Sequence, residues 1–226
     1  MAFLILLGLS IAVIFGPHIW AKRTLQMYSG HRDEIPGTGG ELAQHLLDRL
    51  RIKSIRVEEA DMGDHYDPVE KVVRLTPDVL NGKSLTAIVV AAHEVGHAIQ
   101  DHLSYRPLHL RTKLVALSHT AEKAGSAILI ALPFIATLTL TPVVGALMLF
   151  AGIATLSIPV VIHLITLPVE FDASFRRALP ILAAGYVPHS ELRAARRILT
   201  ACALTYVAAS LATLLNFWRW ISILRR

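Results

Sequence analysis

"SLTAIVVAAHEVGHAIQDH", residues 84–102, is a run of small and branched apolar residues that carries His93, Glu94 and His97 among its alanines and valines. Ser84 is a suitable N-cap, and the spacing predicts a helix from 85 to about 103. A polar side chain buried without a partner costs a few kcal/mol, so these three are either anchored by hydrogen bonds or hold something. His93 and His97 lie about one helical turn apart, and both imidazoles therefore leave the same face and can grip one ion. Zn²⁺ suits imidazole and at catalytic sites keeps three protein ligands and a water. Glu94, next to the first histidine, is placed to take a proton from that water, whose pKa the metal lowers toward neutrality. Gly96 costs about 1 kcal/mol against Ala inside a helix, which predicts that another element approaches closely at that point.

The pair needs a third ligand. Glu170 in "LPVEFDAS" is the best candidate, because it follows one apolar segment and opens the next helical one. Asp172 is its rival, two residues along and on a different face. Both also read as caps of the helix that starts after Pro168. His163, inside an apolar run, reads as a satisfied histidine facing other helices. Cys202, the single cysteine, lies in an apolar segment, which excludes a disulfide framework and a cysteine zinc site.

Working outward, 54% of the 226 residues are apolar and the mean hydropathy is +0.52. The apolar residues are concentrated in 2–20, 124–167 and 199–218. Segments of about 18 to 20 such residues can cross a hydrocarbon layer as helices. The first is expected to be an uncleaved anchor, because Lys22 and Arg23 follow its apolar core instead of preceding it. The second, with Thr141-Pro142 near its middle, is expected to be a hairpin of helices over 124–140 and 144–167. Nearly all of the 22 Lys and Arg fall between 22 and 123 or between 168 and 199, the segments this plan leaves in the cytoplasm. Arg219, Arg225 and Arg226 do not fit it. The net charge of +5 suits anionic lipid headgroups. No basic stripe with interleaved aromatics is present, so nucleic acid is not an expected partner.

The polar stretch before and after the histidine helix is expected to fold outside the bilayer. Thr38 and Glu41 have capping-box spacing, followed by Leu42, Leu46, Leu47 and Leu50 on one face of a short helix. "SIRVEE" and "KVVRL" alternate as strands do, with the turn-forming "GDHYDP" between them, and predict a small sheet. "EKVVRL" could serve as an edge strand onto which an extended peptide adds. The piece after Pro168 is expected to be helical with a break at Pro180. His65, Tyr66, Tyr186 and His189 are the nominees for transition-state donors. His102, His109 and His119 read as interfacial or solvated.

"GDHYDP", "VRLTPDVLNGKSL", "AAHEVGHAIQ" and "LPVEFDASFRRAL" together resemble the YugP-like family of bacterial membrane zinc peptidases over most of the chain. They are also similar, more distantly, to the HtpX and CaaX-protease type of membrane metallopeptidase, in which the glutamate of an E-x-x-x-D motif is the third zinc ligand. The resemblance carries that role onto Glu170. The motif's aspartate falls on Ser174, which leaves support of the histidines unassigned and Asp172 as a substitute.

The expectation is a mainly α integral membrane protein with about four transmembrane helices and a cytosolic, zincin-like α+β catalytic domain. Its divisions are an anchor at 1–21, the catalytic region at 22–123, a membrane hairpin at 124–167, a helical segment with the third ligand at 168–199 and a last membrane helix at 200–226. The activity expected is zinc-dependent peptide-bond hydrolysis at the cytoplasmic face of a bacterial inner membrane. His93, His97 and Glu170 would hold Zn²⁺, and Glu94 would act as base. Asp172, His65 and Tyr66 would support the site. Partners would be a peptide or membrane-protein substrate, the lipid bilayer, and a membrane protein or a second copy. The rival is a metal-binding membrane scaffold without turnover, from which the presence of Glu94 argues away.

Overall fold

The computed structural model describes residues 2–118 and 141–205, with 127, 131 and 134. Helix α1 (Ala2–Met27) leads to α2 (Gly39–Arg49). α2 starts on a complete capping box: Thr38 Oγ1 accepts from the Glu41 N–H, and Glu41 Oε2 accepts from the Thr38 N–H. Leu42, Leu46 and Leu47 are buried as their spacing predicts, while Leu50, at the C-cap, is exposed.

Three short strands follow, β1 (Arg56–Glu59), β2 (His65–Asp67) and β3 (Val72–Leu75). Their order is β1-β3-β2, with β1 parallel to β3 and β2 antiparallel to it. β3 is therefore the centre of the sheet and not the edge expected of "EKVVRL". Val72, Val73 and Leu75 are buried, consecutive positions included, and such a run marks a strand covered on both faces. "GDHYDP" is only in part a turn. Its His65, Tyr66 and Asp67 are β2, and Asp67 Oδ1 accepts from the Val69 and Glu70 N–H groups to close the hairpin into β3.

α3 (Pro77–Leu80) precedes α4 (Leu85–His102), where Ser84 caps by accepting from the Ala87 N–H. α4 lies at the centre of the packing, buried from Leu85 to Asp101, with α2 on one side and residues 172–178 on another. A turn through Ser104, at φ 53°, then folds the chain into α5 over residues 106–118. α6 (Pro142–Phe171) runs through Pro168 and passes without interruption into a π-helical segment, Asp172–Ala178. The expected break at Pro180 is absent; the chain leaves helical geometry at Gly185, at φ 120°. A helix over 192–205 follows.

Among the described residues no helix is long and apolar enough to cross a membrane, and this overturns the expected four-span integral membrane fold. Apolar length records avoidance of water, and a packed interior satisfies it as hydrocarbon does. α4, which lies outside the expected spans, shows this, since its residues are buried from Leu85 to Asp101. The end of α1 is likewise tied into the folded region: Ala21 and Thr24 are buried, and Thr86 Oγ1 donates to the Leu25 carbonyl. The first limb of the expected hairpin, apart from residues 127, 131 and 134, and the chain beyond 205 lie outside the described residues.

Candidate metal centre

α4 presents His93 and His97 on one face, their rings 4.8 Å apart between centroids and at 79°. The end of α6 brings Glu170 to them from a position 73 residues beyond His97. Glu170 Oε2 lies 3.3 Å from His93 Nε2 and 3.2 Å from His97 Nε2. All three side chains are buried, and their ligand atoms lie within 4.8 Å of one another. The close approach expected at Gly96 is made by the π-helical segment. A Cβ built on Gly96 would stand 2.7 Å from the Ala173 carbonyl oxygen.

The other ring nitrogens decide what the three atoms facing each other are. Gln100, one turn beyond His97, uses its amide nitrogen to donate to the Val169 carbonyl and to Asp172 Oδ2, both at 2.8 Å. Those two partners can only accept, so the amide oxygen is the atom 3.0 Å from His97 Nδ1. His97 must then donate from Nδ1, which leaves the Nε2 lone pair to the interior. Ser174 does the same for His93. Its hydroxyl donates to the Leu199 carbonyl at 3.2 Å and accepts from His93 Nδ1 at 3.1 Å. Two imidazole lone pairs and a carboxylate oxygen thus converge with no donor between them when the rings are neutral. Either a proton or a cation must sit there, and two nitrogens with one oxygen are the donor set of a catalytic zinc site.

The electrostatics agree. With protons on the facing ring nitrogens, burial would raise Glu170, but the charge of His97 and the hydrogen bonds from both histidines hold its carboxyl well below the ordinary range. His97 is pushed up: burial opposes its charge, and Glu170 outweighs burial. Glu94 is pushed up chiefly by burial.

Asp172 is not at the convergence point; it accepts from Gln100 and, at 3.1 Å, from Arg177 Nε. Tyr66 donates to Asp101 Oδ2 at 2.6 Å, and His65 Nδ1 lies 3.0 Å from the Gly63 carbonyl. Both line a cleft of about 270 Å³ with His97, Leu108, Arg111 and Thr112. Tyr186 is engaged by His45 and Arg49 of α2, and His189 is exposed, so neither is gathered with the ligands. His102 is exposed and His109 half-buried. The side chain of His163 and all of His119 lie outside the described part. Sequence reasoning missed Gln100, although three residues after His97 is the same face of a helix. It also left Ser174 unassigned and missed Arg111, which stands 3.3 Å from Glu170 Oε1.

A family model described as "Putative neutral zinc metallopeptidase" matches residues 3–225. The chain is 35% identical over 225 residues, 99% of its length and 96% of the relative's, to "Putative membrane protease YugP" of Bacillus subtilis (strain 168). No solved structure matches it significantly. With that coverage, and with a buried His93, His97 and Glu170 set able to hold the family's metal, the chain belongs to the neutral zinc metallopeptidase family.

Proposed function

We propose that the chain is a zinc endopeptidase of the HExxH-plus-glutamate type, with His93, His97 and Glu170 as ligands and Glu94 as general base. The observation that carries this reading is the convergence of three acceptor atoms on one point, with Gln100 and Ser174 occupying the far ring nitrogens. Bound zinc supplies Lewis acidity and brings the pKa of water toward neutrality. Glu94, buried beside the first ligand, accepts the proton of the attacking water and returns it to the leaving amine. Burial raises its pKa, the direction that suits a base that must also return the proton as an acid.

The cleft that leads to His97 supports an extended peptide lying along β2. β2 is an edge strand, and residues 65–69 form one wall of the cleft, with α5 opposite. Backbone pairing would supply affinity without demanding a particular side chain at every position. His65 and Tyr66 would then stand next to the scissile bond as polar contacts. The description of the Bacillus subtilis relative as a membrane protease supports substrates presented at a membrane surface, peptides or exposed segments of membrane proteins.

The test pairs metal content with cleavage of casein or a membrane-derived peptide. Glu94→Gln is expected to retain zinc and lose turnover, while Glu170→Ala loses most of the zinc. Equal cleavage by wild type and Glu94→Gln would remove the hydrolase reading and favour a binding role.

A further inference from the structure

Glu170 uses its two carboxylate oxygens differently. Oε2 faces both histidine nitrogens, at 3.2 and 3.3 Å. Oε1 is buried without a hydrogen bond, and Arg111 Nη1 stands 3.3 Å from it as an ion pair. Arg111 comes from α5, an element that the turn after α4 folds back beside the metal centre, anchored by the buried Leu108. The fold thus introduces a permanent cation at the edge of a site built to hold another. A guanidinium there repels a second cation, and no gain in metal affinity accounts for it. Its ion pair with Oε1 is where it bears on the site.

The geometry points to Arg111 as a positioning residue that reserves Glu170 Oε1, so that the carboxylate offers the metal one oxygen and a coordination place stays open for the reacting water. This rests on the zinc-peptidase reading above. A carboxylate free at both oxygens binds a cation through either one or both, and the second oxygen competes with water for the open place on which a catalytic site depends. A guanidinium holds the second oxygen by charge without blocking the site, here as an ion pair at 3.3 Å and without a hydrogen bond. Arg111 also lines the cleft with His97 and Thr112, on the side from which water and substrate would enter.

The proposal predicts an unusual split. Removing Arg111 should leave zinc affinity unchanged or tighter, because a neighbouring positive charge is gone, while kcat falls about 10–100-fold, the usual loss when a partner of a metal ligand is removed. A residue needed only for the fold would weaken both. The experiment compares full-length wild type, Arg111→Ala and Arg111→Lys. It measures zinc dissociation constants by chelator competition, the visible spectrum of the Co²⁺-substituted protein, kcat and KM, and the melting temperature of the metal-free forms. The expected result is an Arg111→Ala protein that melts near wild type and binds zinc at least as tightly. Its Co²⁺ spectrum should differ from wild type, as exchange of the water for a second carboxylate oxygen dictates, and its kcat be reduced with little change in KM. Arg111→Lys, which keeps a point charge, should recover part of the wild-type spectrum and of kcat. A Co²⁺ spectrum and kcat equal to wild type in Arg111→Ala would overturn the proposal, as would a tenfold loss of zinc affinity. Absence of zinc binding or turnover in the wild type would instead overturn the peptidase reading on which it stands.

Discussion

Gln100 shows how one amide fixes the chemistry of a residue it does not resemble. Its two donors are committed to the Val169 carbonyl and Asp172, so its oxygen can only accept from His97, and the ring's other nitrogen is delivered as a lone pair. Replacing Gln100 with Ala should lower zinc affinity about 10–100-fold, with Glu170 and both histidines intact; chelator competition measures it. Gln100→Glu reverses the argument, since a carboxylate cannot donate to Val169 or Asp172, and it should be the worse substitution for stability. At this scale the sequence was informative wherever chemistry is local. His93, Glu94 and His97 declare themselves by spacing. Glu170 is preferred over Asp172 by its place between an apolar segment and the next helical one, and the family resemblance points the same way. The structure separates those two carboxylates: Glu170 meets the histidines, and Asp172 meets the amide that orients one of them. Arg111 had no signature at all, because its partner lies 59 positions away and only the turn between α4 and α5 aims it.

The contact between α4 and the π-helical segment Asp172–Ala178 is the joint on which the site closes. A π-helical turn is wider than an α-helical one and recurs where a functional site needs side chains re-aimed. Here it follows Glu170 at once and carries Asp172 and Ser174, each bonded toward α4. Gly96 makes the approach possible, and substitution there sets two effects against each other. Helix propensity alone would make Gly96→Ala stabilising by about 1 kcal/mol. The new methyl, however, would meet the Ala173 carbonyl at 2.7 Å, and overpacking costs about 1–3 kcal/mol. The contact is with backbone, which cannot rotate away, so the second effect should win. Gly96→Ala is expected to lower the melting temperature and to weaken zinc binding together. A higher melting temperature would show the joint to be looser than described. α2, α4 and the strands β1 and β3 were legible in periodicity and caps, while β2, inside the turn-forming "GDHYDP", and the order of the strands were not. Alternation in "KVVRL" could not reveal that β1 and β2 would both pair with β3, a decision made by the elements packed around them.

Across the whole molecule, the site joins parts of the chain that composition alone sorts wrongly. The apolar runs at 2–20, 124–167 and 199–218 suggested spans, yet the residues that matter most lie outside them, on α4 within the packed interior and at the end of α6 where Val169 and Glu170 are buried. Hydropathy reports how much of a segment avoids water and does not say what covers it. The central claim is that two imidazoles and one carboxylate, distant in sequence, surround a single zinc ion. Zinc K-edge X-ray absorption on the loaded wild-type protein tests it most directly. The account predicts a first shell of two imidazole nitrogens at about 2.0–2.1 Å, with oxygen in the remaining places, and a change in that shell in Glu170→Ala. Sulfur in the first shell, a shell without imidazole, or an unaltered spectrum in Glu170→Ala would contradict it.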